Sequence, residues 1–299
     1  MQYHEPVLLQ EVLEGLRVKD GGKYIDCTLG DGGHTLEILR RGGKVLGLDV
    51  SEESIRRARE RIATAGLLEN FTGVQANFKN LENIAKENGF TKVDGILFDL
   101  GFSSSQLEEA GLSFSKDVPL DMRLDKSLGV TAADLVNGMS EKELTRMFRE
   151  YGGENLAKKF AKVIVKYRGL KKFQTTKDLA DLLVDVAPSG YERGRIHPAT
   201  RVFQALRIVV NDELKSLKVA LPQAARLINS LPGGRIAVLS FHSLEDKIVK
   251  EFGLDVQPLL KPVTKKPIVP TQEEVAKNPR ARSAKLRVFE RVGSGRVEP

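Results

Sequence analysis

Apolar positions along the first hundred residues follow two different periods. In KYIDCTLG (23–30), KVLGLDV (44–50), FTGVQAN (71–77) and VDGILFDLG (93–101) they are near-continuous or alternating over short runs, which predicts buried strands. In HTLEILRRGG (34–43), SEESIRRARERIATAG (51–66) and NLENIAKENGF (80–90) they recur at helical spacing, with Ser51 at a cap position and glycines at the ends. Strand and helix alternating at this interval predict an α/β fold with a parallel, doubly wound sheet. From 131 to 220 the pattern is helical throughout with no convincing strand. After it GGRIAVLSF (233–241) returns as a strand, HSLEDKIVKEFG (242–253) as a helix and KLRVFERV (285–292) as a final alternating strand. The economical organisation is a sheet domain over 1–112 and 215–299, interrupted by an all-helical insertion over 113–214. The Pro- and Lys-rich stretch KPVTKKPIVPT (261–271) reads as an ordered or semi-ordered arm.

Length and composition agree with a folded chain of about two domains: 299 residues, 41 % hydrophobic. Apolar runs such as Ile236 to Leu239 fall far short of the roughly 18 residues of a membrane span, and MQYHEPVLLQEV lacks a basic then apolar signal region. No membrane association is expected, and the cytoplasm is the default location. A single cysteine, Cys27, excludes an internal disulfide, and four scattered histidines make a structural zinc site and any metal centre unexpected.

Net charge is +7, unevenly spread. Residues 151–201 hold 11 Lys or Arg against 5 Asp or Glu, and residues 261–299 hold 10 against 4, so each stretch carries +6 and the remainder −5. Basicity gathered in this way points to a polyanionic partner. In ENLAKKFAKVIVKYRG (154–169), Lys158, Lys162 and Lys166 fall on one helical face and Leu156, Phe160, Val163 and Tyr167 on the other.

The stretch DCTLGDGGHT (26–35) leaves a strand, turns through Gly30, Gly32 and Gly33, and starts a helix. Such a turn lets a ligand approach the backbone and aims helix N–H groups at it, the usual arrangement for nucleotide-like cofactors. Asp49, closing the second strand, is placed to accept ribose hydroxyls. The dinucleotide fingerprint G-x-G-x-x-G/A is not met, since Thr35 takes its third place. Asp26 four residues before Gly30 fits the D-x-G-x-G pattern of S-adenosylmethionine (SAM) enzymes, except that Thr28 replaces the first glycine.

At the end of the fourth strand, Asp99-Leu100-Gly101-Phe102 shares the first and last places of the Asp-Pro-Pro-Tyr tetrapeptide of amino-group methyltransferases, without its prolines. An exocyclic amine on a base ring is a poor nucleophile because its lone pair is delocalised. A carboxylate and a backbone carbonyl that accept its hydrogens draw the nitrogen toward tetrahedral geometry and stabilise the developing charge, a role open to Asp99. Phe102 could stack on a flipped base. Cys27, in a buried strand, speaks against carbon-5 methylation, which needs a thiolate. His242 either lines a target pocket or caps the helix that follows it.

The segments HEPVLLQEVL (4–13), DCTLGDGGHT, DLGFSSSQL (99–107), PLDMR (119–123), HPATRVFQALRIVVNDEL (197–214), SFHSLEDKIVK (240–250) and NPRARSAKLRVFER (278–291) together resemble the bacterial small-subunit ribosomal RNA cytosine-N4 methyltransferase family. The resemblance runs from end to end of the chain. It implies a class I SAM-dependent methyltransferase fold, Rossmann-like, with a helical insertion that recognises the substrate. It also implies SAM as donor and a cytidine in the decoding region of small-subunit ribosomal RNA as acceptor, with the assembled 30S subunit as the expected setting and a homodimer as an open option. Carried over, the cofactor contacts are Asp31, Gly32, Gly33, His34, Asp49, Phe78, Asp99 and Gln106; the catalytic roles expected of Asp99 and Phe102 rest on the amine chemistry above. A nicotinamide- or flavin-dependent oxidoreductase is the alternative that the glycine loop alone leaves open. A non-catalytic RNA-binding factor is a third.

Overall fold

The computed structural model describes residues 5–102, 106, 110–229 and 233–292; Ser103 to Ser105 and Leu107 of the DLGFSSSQL segment, and His4, lie outside them. The chain forms two compact units, Met1–Ser103 with Leu214–Pro299, and Ser104–Glu213.

The first unit is built on one seven-stranded sheet of order β3-β2-β1-β4-β5-β7-β6. Its strands are β1 (Lys23–Asp26), β2 (Lys44–Asp49), β3 (Phe71–Gln75), β4 (Gly95–Asp99), β5 (Arg235–Ser240), β6 (Leu260–Pro262) and β7 (Lys285–Arg291). The first five are mutually parallel, while β7 runs antiparallel to β5 and β6 antiparallel to β7. The arm 261–271 therefore begins as an edge strand and rejoins the sheet where Ile268 bridges Leu286.

Successive strand residues point to opposite faces, and both faces are covered, which is why these strands read as continuous apolar runs. Leu46, Leu48, Ile96, Phe98, Ile236 and Val238 face a layer made by α4 (Leu81–Glu87), α10 (Glu213–Leu227) and α11 (Ser243–Asp255). Val45, Leu97, Ala237 and Leu239 face α1 (Leu9–Gly15), α2 (Gly33–Arg40) and α3 (Glu52–Thr64). Ser51 caps α3 as its position predicts, its Oγ accepting the Ser54 N–H at 3.2 Å. The chain order reverses between β1 and β4, and at such a switch point the loops leaving the carboxyl ends diverge and open a crevice.

The second unit is helical: α5 (Ala132–Gly138), α6 (Glu141–Glu150), α7 (Ala157–Tyr167), α8 (Thr176–Val186) and α9 (Thr200–Val210). Thr131, Ser140 and Thr175 open α5, α6 and α8 with complete capping boxes. In α7 the lysines 158, 162 and 166 are exposed as the period predicts. Its buried stripe differs: Ala157, Phe160, Ala161 and Ile164 are interior, while Leu156, Val163 and Tyr167 are only partly covered. The small side chains of Ala157 and Ala161 let a neighbouring helix close on that side, which a count of large apolar residues does not capture.

Helix α11 lies so close to β7 that a Cβ added at Gly253 would fall 2.4 Å from Cε1 of the buried Phe289. Gly253→Ala gains up to about 1 kcal/mol in helix propensity but overpacks the core by about 1 to 3 kcal/mol. Net destabilisation of about 1 kcal/mol is expected in urea unfolding; a more stable variant would mean that the ring moves freely.

Candidate active site

Three strands that meet at the switch point each end in an aspartate: Asp26 on β1, Asp49 on β2 and Asp99 on β4. Asp26 is 1 % exposed and wholly engaged by its own loop, Oδ1 accepting the Thr28 N–H at 3.1 Å and Oδ2 the Thr35 hydroxyl at 2.7 Å. Beyond it the chain turns through Gly30 at φ +50° and Gly32 at φ +73°, left-handed conformations that favour glycine. Gly32 also sits where a Cβ would be 3.0 Å from that of Ala58. Asp49 fastens this turn to the next crossover: Oδ2 accepts the Gly30 N–H and Oδ1 the Ser51 N–H, both at 2.9 Å.

Asp31 faces away from that role. Its Oδ1 accepts from Arg57 Nε at 3.0 Å, and its carbonyl accepts from Arg61 at 3.2 Å. Gly33 begins α2 against Pro6, whose Cγ would lie 2.5 Å from a Cβ there. His34, 5 % exposed, points into the unit with Nε2 3.1 Å from the Val7 carbonyl and Nδ1 3.4 Å from Asp99 Oδ2. The other carboxylate oxygen of Asp99 accepts the Gly101 N–H at 3.2 Å, and the Asp99 N–H donates to Thr28 Oγ1 at 2.6 Å. Phe102 is partly buried. Phe78 meets Phe98 edge to face at 5.7 Å between centroids. Gln106, which belongs to the helical unit, is buried.

Electrostatics follow from burial. Desolvation pushes both Asp49 and Asp99 up to about 6, against the amide bonds from Ser51 and Gly30 in the first case and from Gly101 in the second. Asp26 and Asp31 raise Asp49 further, and Glu245 raises Asp99. Burial likewise raises Asp26 and lowers His34. The Cys27 thiol is pushed well up by burial and by Asp26, which leaves it unreactive. His242 is a cap: its Nδ1 accepts the Glu245 N–H at 3.4 Å, and Glu245 accepts the N–H groups of Phe241 and His242 in return.

Two groups in this arrangement escaped the sequence reading. Thr28 registers there only as a departure from D-x-G-x-G, yet its hydroxyl receives the Asp99 amide, a bond glycine cannot make. The Val7 carbonyl, 27 positions from His34, has no local signature at all. The assembled site offers a glycine turn that a nucleotide-like ligand can approach. Beside the turn stands a partly buried carboxylate, Asp99, able to accept hydrogen bonds or a proton near neutral pH.

The family model described as the MraW methylase family matches residues 1–292. Ribosomal RNA small subunit methyltransferase H of Carboxydothermus hydrogenoformans is 46 % identical, over 97 % of this chain and 98 % of that one. Among solved structures, an rRNA methylase from Streptococcus thermophilus is similar over 95 % of both chains at 12 % identity and a TM-score of 0.45. A SAM-dependent O-methyltransferase from Thermotoga maritima is similar over 99 % of this chain and 70 % of its own, at 12 % identity and a TM-score of 0.46.

Asp99→Asn should separate stability from chemistry. A carboxylate held at about 6 in the fold, against 3.8 as its ordinary value, favours the folded state fully below pH 3.8 and loses that contribution as pH rises to about 6. The amide has no charge to bury, keeps an oxygen for Gly101 and can donate to His34 Nδ1. Above pH 6 the variant should therefore be the more stable by on the order of 1 to 3 kcal/mol, a gap that closes near pH 4. Denaturant titrations of both proteins across this range measure it; a gap independent of pH would mean that Asp99 is not the group titrating.

Proposed function

Since this chain belongs to the MraW methylase family, we propose that it transfers a methyl group from SAM to the exocyclic N4 of a cytidine in the decoding region of small-subunit ribosomal RNA. The observation that carries this reading is Asp99: a partly buried carboxylate at the end of β4, one residue before the Leu100 carbonyl and three before Phe102. Two acceptors in that place suit an amine whose hydrogens must be drawn out of the ring plane before its lone pair can attack. Phe102 would stack on the extruded base.

The donor set fits SAM. When bound, SAM supplies a methyl group on a positively charged sulfur. The left-handed turn at Gly30 and Gly32 permits close approach of its polar groups to the backbone. Asp49 has spent one lone pair of each oxygen on Gly30 and Ser51 and retains others for ribose hydroxyls. Gly33, His34 and Phe78 join Gly32 and Asp49 in this proposed set, while the Arg57 contact makes Asp31 a support of the turn more than a ligand.

Substrate recognition is assigned to the helical unit. Lys158, Lys162 and Lys166 are exposed on α7 and form no ion pair among the described residues, so their charge is available to phosphates. No helix among the described residues is long and apolar enough to cross a membrane. The cytoplasm, where 30S subunits assemble, is the proposed location. An oxidoreductase is disfavoured by Thr35 at the third place of the dinucleotide fingerprint and by the family itself.

Nucleoside analysis of ribosomal RNA from cells lacking the protein should lose one N4-methylated cytidine; unchanged nucleosides would overturn the assignment. In single-turnover transfer at saturating SAM, Asp99→Asn should be slower by roughly 100-fold or more, the scale of removing one electrostatic stabiliser, with RNA affinity within a few-fold. Near-normal transfer would leave the Leu100 carbonyl as the principal acceptor.

Replacing Lys158, Lys162 and Lys166 by alanine should weaken RNA binding and flatten its salt dependence by up to about one log unit of slope per lost phosphate contact. SAM affinity should not change. Wild-type RNA affinity at several salt concentrations would mean that this face is merely solvated.

A further inference from the structure

We propose that His34 is a positioning residue that makes Asp99 half of a two-site proton acceptor, so that the proton leaving the methylated amine comes to rest between Asp99 Oδ2 and His34 Nδ1. The inference rests on the reading of Asp99 as the group that faces the acceptor amine, and it adds where the proton goes.

The imidazole is held from both ends. Val7 is 4 % exposed, and its carbonyl is fixed by a chain reversal in which Leu8 takes φ +50° and donates its N–H to Glu274 at 2.7 Å. A carbonyl can only accept, so His34 Nε2, 3.1 Å away, carries the hydrogen. In the neutral ring Nδ1 is then a bare lone pair, and it faces Asp99 Oδ2 at 3.4 Å. Two acceptors so opposed repel weakly until a proton enters between them, after which they form a hydrogen bond. His34 thus raises the proton affinity of Asp99 without itself touching the acceptor base.

The surrounding charges keep this slot empty but ready near neutrality. Asp26 on β1, tied to Thr28 and Thr35, favours a charge on His34; Arg61 on α3 opposes it. Glu245 on α11 disfavours ionised Asp99, as does burial, and the Gly101 N–H favours it. Asp99 is thereby held at about 6. Above that pH the pair is ionised Asp99 with neutral His34 and can take up one proton.

The chemistry then balances. The amine lone pair forms the new nitrogen–carbon bond as the methyl carbon leaves sulfur, which keeps the bonding pair. The nitrogen now bears a positive charge, and one N–H bond breaks with its electrons returning to nitrogen. Its proton passes to the Asp99 carboxylate and is shared with Nδ1 until product departs and solvent removes it. No further acceptor is required.

Two measurements test this. Nitrogen-15 NMR of the full chain without SAM, labelled at its four histidines, reads the ring directly. The expected result is Nε2 of His34 protonated from pH 5 to 8.5, with one step near pH 6 at Nδ1 that leaves this range in Asp99→Asn. A ring protonated at Nδ1 with Nε2 bare, or a step indifferent to Asp99→Asn, overturns the proposal. The second measurement is the pH profile of single-turnover methyl transfer at saturating SAM. Wild type should lose rate as pH falls through about 6, where the slot is already filled. In His34→Asn the amide donates to Asp99 and favours its ionised form, so the acid limb should move down by about one pH unit or more and the plateau rate should drop about 10-fold. A lower plateau with an unmoved limb would reduce His34 to a structural role and overturn the proposal. The NMR experiment decides alone if His34→Asn does not fold. A titrating His34–Asp99 pair in a protein that methylates no cytidine would instead sink the function assigned above and leave the pair standing.

Discussion

Buried carboxylates at the ends of parallel strands must find hydrogen-bond donors, and the rest of this site is arranged around that demand. In a parallel sheet the carboxyl ends of the strands gather on one edge, where the backbone leaves its ladder and its N–H groups need partners. Asp26, Asp49 and Asp99 accept them there: Thr28 on the first, Gly30 and Ser51 on the second, Gly101 on the third. Each bond closes one loop against the sheet, so the turn that would receive a cofactor and the carboxylate that would receive an amine are held by the same set of contacts. Thr28 joins the two, donating its amide to Asp26 and receiving the amide of Asp99.

This arrangement costs stability. Asp49 and Asp99 are both held at about 6, and Asp26 is raised as well, so at neutral pH the interior carries negative charge that it would rather neutralise. At Asp99, where only one oxygen accepts from the backbone, an amide would avoid this cost; Asp26 and Asp49 accept on both oxygens, which an amide cannot do. The charge is useful where a positively charged sulfur and a nitrogen gaining positive charge must be accommodated together, because a dry site of fixed dipoles and anions need not reorganise as the reaction proceeds.

The helical unit follows a different logic. Its interior is carried by a narrow stripe of apolar residues on each helix, three of the five helices open with capping boxes, and its outer surface keeps lysines on α7 that no carboxylate neutralises among the described residues. Helices fixed internally in this way can present charge to a polyanion without drawing on it for their own stability.

Period and punctuation along the chain determined the alternation of β1 to β4 with their helices, the return of β5, α11 and β7, the Ser51 cap, the glycine turn and the outward face of the α7 lysines, because each depends on neighbours within a few residues; α1 and the short edge strand β6 carry no such signal. Asp49 and Asp99 were legible for the same reason: an acid that ends an apolar run is visible as such. What the aspartates touch was not. Thr28 reaches Asp99 across 71 positions and His34 reaches Val7 across 27, and nothing in either segment encodes its partner. The antiparallel insertion of β7 between β5 and β6, the capping role of His242 and the inward turn of Ala157 and Ala161 on α7 were likewise decided by packing. Local sequence sets which conformations a segment favours. Only the tertiary structure brings distant donors and acceptors within hydrogen-bond distance of one another, and at a buried site that proximity sets where each proton resides.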